Sequence, residues 1–361
     1  ATEAGTPGDG GVELRGGSVA GIVAAAKSGS IAGSYAALNK GATVTAEMRA
    51  GGFASEFVPE ATIYVKDGSS GAGYSPETAV GDLVEAVRRL PSGGTVVVCG
   101  TLTLDSSKTL RALSDKLTIT SSYCGVDYRL TDDACIKLYR SIALASETEL
   151  RDLHIVAAAN STYISAEGNP LTIGSGVECT LYPDSRVENY PALVGGSFSI
   201  SPSLQKSVTL NIYSGTWGSV TAGQYSTDAA SAASRSATGD LVLNVYGGKF
   251  TDDCFVAGRN LLNGNATLNA YGGEFACSVF GIAAGSTVNG SITINAAGAS
   301  FEGDLLAGQD NTAALNGDYT LCVTTSNLDR VGMVKGTETL GGTSTSKIVI
   351  PEGLDLDAEI T

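Results

Sequence analysis

The residues best placed to do chemistry in this sequence are three tyrosines, each two places after an asparagine. Tyr213, Tyr246 and Tyr271 follow Asn211, Asn244 and Asn269 in "LNIYSGTW", "LNVYGGKF" and "LNAYGGEF". Alternation on a strand puts Asn and Tyr on one face and the Leu before each Asn on the other. Aromatic faces flanked by amide donors and acceptors suit sugar rings. The candidate glycan contacts are therefore Tyr213, Tyr246, Tyr271, Asn244 and Asn269, with Arg259 adding a cation after the Ala257-Gly258 corner. The same Tyr and Asn rows would serve equally well to brace stacked strands against one another.

Signals for catalysis are thinner. The chain has one histidine, His154 in "LRDLHIV", which alternates with Leu153 and Ile155 and so reads as the polar side of a strand. A catalytic histidine wants an oriented carboxylate, and Asp152 is the nearest. The acidic pairs Asp132-Asp133 and Asp252-Asp253 make poor dyads on a strand, where neighbours point apart. In a turn, either pair could hold calcium weakly through oxygens, with Asp252 and Asp253 the metal candidates kept, which makes Ca2+ the one cofactor considered. Glycosidase chemistry needs two carboxyls at a set separation, and Asp252 with Glu274 from the next copy is the pair to consider. A serine-nucleophile elbow, a phosphate loop and a paired-histidine metal motif are all absent.

What positions these residues is a repeat. Counted from Asn211, Asn244, Asn269 and Asn295, the steps are 244−211 = 33, 269−244 = 25 and 295−269 = 26. An aromatic sits six places after each Asn: Trp217, Phe250, Phe275, Phe301. A glycine or alanine sits four places after it, at Gly215, Gly248, Gly273 and Ala299, and an Ala-Gly corner follows further on. The insertion "QYSTDAASAASRSATGD", residues 224–240, accounts for the long step. About 25 residues suit one turn of a parallel β-helix, read as three strands of about five residues with corners; a propeller blade needs about 40 or more.

Lines such as "VTLNIYSGTWGSVTAG" and "LVLNVYGGKFTDDCFVAG" resemble the repeats of pectate-lyase-like, right-handed β-helix domains in large surface proteins of Gram-positive anaerobes. The stretch 63–104 resembles the way such domains begin. The resemblance implies a fold over about residues 62–350, and it is weak for activity, since many activities share this fold. Pectate lyases use an aspartate cluster with calcium and an arginine base. Polygalacturonases use aspartates with Gly-His-Gly and Arg-x-Lys. This chain lacks those motifs.

Local chemistry supports a helical cap near 76–90. Ser75 can N-cap, Pro76 suits the first turn, Val80, Leu83, Val84 and Val87 make an apolar stripe, and Arg88 and Arg89 complement the helix dipole. A solenoid needs its first coil covered. Upstream, "VELRGGSVAG" in 12–21 matches the repeat again, with Val12, Gly17 and Val19 in register. Residues 1–57 are thus either the tail of a preceding domain in a tandem array or a segment packed on the main solenoid of 58–361.

Composition bounds the partners. Glycine is abundant at 47 of 361 residues, and only 16% are charged. The net charge of −15 repels phosphate backbones and anionic lipid, so neither nucleic acid nor membrane insertion is expected. Apolar runs such as 20–26 fall well short of the roughly 20 residues that a span needs. The chain opens without a leader pattern, as a mature or excised form would. Seven cysteines without CxxC are neither a disulfide framework nor a zinc site; buried thiols are expected, with Cys254 and Cys277 in successive copies able to approach.

The expectation is an all-β, right-handed parallel β-helix with a short N-terminal capping helix, secreted or attached to a bacterial cell wall. Its work would be adhesion, binding of a polysaccharide or host-surface glycan, or service as a stalk. The alternative is a polysaccharide lyase or glycoside hydrolase acting on an acidic polysaccharide. An acidic cluster beside Arg or Lys would favour the enzyme; a bare aromatic and amide face would favour binding.

Overall fold

A computed structural model describes residues 61–183, 186–197, 206–225, 236–324, 341–343 and 345–352. It also gives the strand backbones Gly10–Leu14, Ser18–Val19, Val23–Ala24, Tyr35–Asn39, Thr43–Val44, Arg49–Ala50, Arg330–Val334 and Glu359–Ile360. The fold is a right-handed parallel β-helix with a short capping helix. The chain divides into two compact units, Ala1–Leu102 with Leu117–Cys135, and Thr103–Lys116 with Ile136–Thr361.

The larger unit contains the repeats. Val208–Ile212, Leu241–Val245, Ala266–Ala270, Ile292–Ala296 and Tyr319–Val323 stack as parallel strands with Asn211, Asn244, Asn269 and Asn295 in one column. Each of these strands alternates buried and half-buried from end to end, as period-2 alternation requires. After the Gly-Gly corner come two-residue strands, Thr216–Trp217, Lys249–Phe250, Glu274–Phe275 and Ser300–Phe301. Their aromatics point inward: Trp217, Phe250 and Phe275 are fully buried, and Phe301 nearly so. The rings of Phe250 and Phe275 stack at 4.7 Å, and those of Phe275 and Phe301 at 4.8 Å.

Each regular coil then carries two further strands, such as Cys254–Phe255 with Leu261–Asn263 in one and Val279–Ile282 with Thr287–Val288 in the next. A coil thus has four short strands where three longer ones were expected. The Gly-Gly pair turns the chain between the Asn strand and the aromatic, and the extra break is the turn at Asp252 and Asp253, which separates Lys249–Phe250 from Cys254–Phe255. Gly248 and Gly273 have φ of +94° and +93°, a region that β-carbons disfavour. A Cβ on Gly272 would lie 2.4 Å from the carbonyl oxygen of Tyr246 in the coil before.

In the smaller unit, Thr62–Val65, Gly94–Val98 and Leu117–Thr120 form parallel pairs. The helical segment differs from the sequence expectation, being two pieces. Ser75 does cap a 3-10 turn, Pro76–Thr78, closed by a reciprocal Ser75–Thr78 capping box. The chain then extends so that Val80 pairs with Val65, and the α-helix proper, Leu83–Arg89, starts from an Asp82 cap. The break follows from strand pairing: Val80 donates its N–H to the Tyr64 carbonyl and accepts from the Lys66 N–H, so its backbone cannot continue the helix. The buried stripe is Leu83, Ala86, Val87 and Leu90, while Val84 is only half-buried.

The strand backbones before residue 57 pair in parallel at offsets of 35−10 = 25, 43−18 = 25 and 49−23 = 26 residues. Val12 and Val19 fall in these strands, but their side chains and Gly17 lie outside the described residues, as do 226–235 of the long insertion.

Candidate functional site: the tyrosine row and the Arg259 cleft

The tyrosine row is present and half-exposed: Tyr213 at 46%, Tyr246 at 42% and Tyr271 at 52%. Its rings stack face to face, at 4.5 Å for Tyr213 with Tyr246 and 5.3 Å for Tyr246 with Tyr271. Stacking covers both faces of Tyr246, leaving its edge to solvent. The residues in register with the row in the flanking coils are Gly174 below Tyr213 and Ala297 above Tyr271, so among the described residues the column itself adds no further ring at either end.

The asparagines beside it largely satisfy one another. The Nδ2 groups of Asn244, Asn269 and Asn295 donate to the Oδ1 atoms of Asn211, Asn244 and Asn269 at 2.9, 2.8 and 2.7 Å. Asn211 Nδ2 points to Thr172 Oγ1 at 3.4 Å. A second ladder, not singled out in the sequence, runs from Asn316 to Asn289 to Asn263 at 2.8 and 2.7 Å.

The remaining candidates converge elsewhere. Arg259 and the Asp252-Asp253 pair share an open cleft of about 680 Å3 with Tyr225, Phe255, Cys277, Glu302 and Gln309. The Asp pair sits in a turn between the strand Lys249–Phe250 and Cys254–Phe255, so both carboxylates reach the surface. Asp253 Oδ1 accepts from the Ser278 backbone N–H at 3.3 Å. The Arg259 guanidinium lies 5.5 Å from the ring centres of both Tyr225 and Phe255, in cation–π geometry. Phe255 is anchored in turn against Phe280, Ala283 and Leu306.

Glu274, the sequence-derived partner for Asp252, is instead engaged with Lys249, its neighbour in the preceding coil. The carboxylate that does share the cleft is Glu302. It could have been found from the repeat: Thr251, Ala276 and Glu302 each follow the coil aromatic, and their backbone N–H groups bond successive coils. Gln309 carried a signal of the same kind, since it follows Ala307-Gly308 as Arg259 follows Ala257-Gly258, whereas Tyr225, in the insertion, carried none.

His154 bonds Thr180 Oγ1 at 2.8 Å through Nε2, the arrangement of a braced surface histidine. Asp132 ends the short helix Tyr128–Thr131 and accepts from Thr131 Oγ1 at 2.6 Å, while Asp133 takes a left-handed φ of 50°. Among the described residues no group of three His, Cys, Asp or Glu is placed to hold a metal ion. No helix among them is long and apolar enough to cross a membrane. The seven cysteines form no disulfide, and Cys99, Cys135, Cys179, Cys254 and Cys277 are buried. Burial pushes the thiols of Cys99 and Cys179 up to about 11 and about 12, which makes them poor nucleophiles.

No protein-family model matches the chain, and neither a curated protein nor a solved structure matches it.

Proposed function

We propose that this chain is a secreted or wall-attached bacterial surface module, of the pectate-lyase-like kind carried by Gram-positive anaerobes, that binds polysaccharide in the Arg259 cleft. The observation that carries the reading is the convergence of Arg259, Asp252, Asp253, Glu302 and Gln309 in one open cleft of about 680 Å3. Binding pockets for small ligands run to roughly 300–1,000 Å3. Carboxylates and an amide carbonyl accept from sugar hydroxyls, and a guanidinium donates to them in a fixed fork. Because Arg259 rests on Tyr225 and Phe255, its fork is held in place before a ligand arrives. The outer faces of Tyr213 and Tyr271 are the aromatic surfaces left for a sugar ring on the tyrosine row.

The test is a glycan array followed by titration calorimetry. Binding of an extended polysaccharide should fall at least about tenfold in Arg259→Ala and in an Asp252→Asn, Glu302→Gln double variant, each charge-assisted hydrogen bond being worth about 1.5–3 kcal/mol. Absence of binding to every glycan would end this reading and leave a stalk that holds another module away from the wall.

A polysaccharide lyase or glycoside hydrolase is the second reading, favoured by carboxylates and an arginine sharing one cleft. Release of unsaturated or reducing sugars from an acidic polysaccharide, abolished in Glu302→Gln, would establish it.

A further inference from the structure

We propose that Cys254 and Cys277 are a dithiol site that closes to a cross-coil disulfide through the wall of the Arg259 cleft. The two sulfurs sit 3.8 Å apart, in van der Waals contact, on successive coils. Cys254 pairs with Val279 in the parallel ladder, and its N–H bonds the Ser278 carbonyl, so the backbone holds the Cys254 and Cys277 turns together. The neighbouring Phe250–Phe275 stack fixes the coil spacing beneath them.

The two sulfurs differ in access. Cys277 lines the cleft and is 9% exposed, whereas Cys254 is 1% exposed and donates toward the Asp252 carbonyl at 3.4 Å. Burial holds the Cys254 thiol well above its ordinary value, as does its neighbour Cys277. Cys277 is therefore the entry sulfur and Cys254 the resolving one.

The oxidant is a small disulfide. Cys277 loses its proton to solvent in the cleft, and its thiolate attacks one sulfur of the oxidant, expelling the other half as a thiolate. Cys254 then passes its proton to a leaving thiolate and attacks Cys277 Sγ, releasing the second half. The protein dithiol loses two protons and two electrons, and the small disulfide becomes two thiols. The bond joins the turn carrying Asp252 and Asp253 to the one carrying Ala276 and Ser278, both in the cleft wall. The site stands whether or not the cleft binds glycan.

The full chain in a Cys124→Ser background, which removes the exposed thiol, is incubated with oxidised glutathione, unfolded in acid, alkylated and read by mass spectrometry. The expected result is loss of two alkylatable thiols and a cross-linked peptide joining Cys254 to Cys277, with a raised Tm that dithiothreitol reverses. In Cys254→Ser the glutathione adduct should instead accumulate on Cys277. Should that variant fail to fold, the cross-linked peptide in the parent chain still decides. Full alkylation of both cysteines, a lasting adduct on Cys277 beside an intact Cys254, or a cross-link between other cysteines would each overturn the proposal.

Discussion

Asn269 donates from Nδ2 to Asn244 Oδ1 at 2.8 Å and accepts from Asn295 Nδ2 at 2.7 Å, so it is one link in a ladder running in a single direction. An aspartate at this position could accept from Asn295 but, when ionised, could not donate to Asn244. Asn269→Asp should therefore cost about 1–3 kcal/mol at neutral pH. The carboxyl's folded pKa would be raised, so the deficit should grow as pH rises through the carboxylate range and shrink in acid. Denaturant titrations of both proteins across that range check this; a deficit independent of pH would deny the ladder its direction.

Burial and exposure separate the two aromatic rows. Phe275 is fully buried between Phe250 and Phe301, and Phe275→Ala should cost about 3–5 kcal/mol. Tyr246 is 42% exposed, and Tyr246→Ala should cost about 1 kcal/mol, the worth of ring pairing. Equal losses in urea unfolding would contradict the assignment of inside and outside.

The Gly-Gly corner is conformational. Gly273 holds φ +93°, so Gly273→Ala should cost about 1–3 kcal/mol. Gly272→Ala should be worse, because its Cβ meets backbone that cannot move aside. Thermal unfolding of the two variants gives the order directly.

Glu85 bonds both Arg88 and Arg89 on the helix Leu83–Arg89, with the Arg88 contacts at 2.6 and 2.8 Å and the Arg89 contact at 2.8 Å. Hydrogen bonds from Arg88, then Arg89, lower its pKa from 4.5 to about 2. A lowered folded pKa gives stability that is present above the unfolded value and lost as pH falls from 4.5 toward 2. Glu85→Gln should thus unfold at a lower temperature than the parent at pH 7, by a small margin given the exposure, and match it near pH 2. A margin that persists in strong acid would assign the effect to helix packing instead.

The sequence by itself determined the coil. Constant spacing from Asn to aromatic, with a step of 25 or 26 residues between the last copies, left one stacking register in which Leu243 and Phe250 go inward and Asn244 and Tyr246 outward. Strand alternation and parallel pairing are local rules, so a repeated pattern fixes them. Three things were decided only by the tertiary structure. The Tyr rings turned face to face, because a coil spacing near 4.8 Å lets rings in one column stack and share their faces. Asp252 came to share a cleft with Glu302 and Arg259, while Glu274 went to Lys249, since each acid's partner depends on where its coil corner lies. The capping helix split around Val80, whose backbone N–H and carbonyl bond Tyr64 and Lys66 instead of continuing the helix. Spacing sets the column a residue occupies; the approach of the neighbouring coil sets what its side chain can touch.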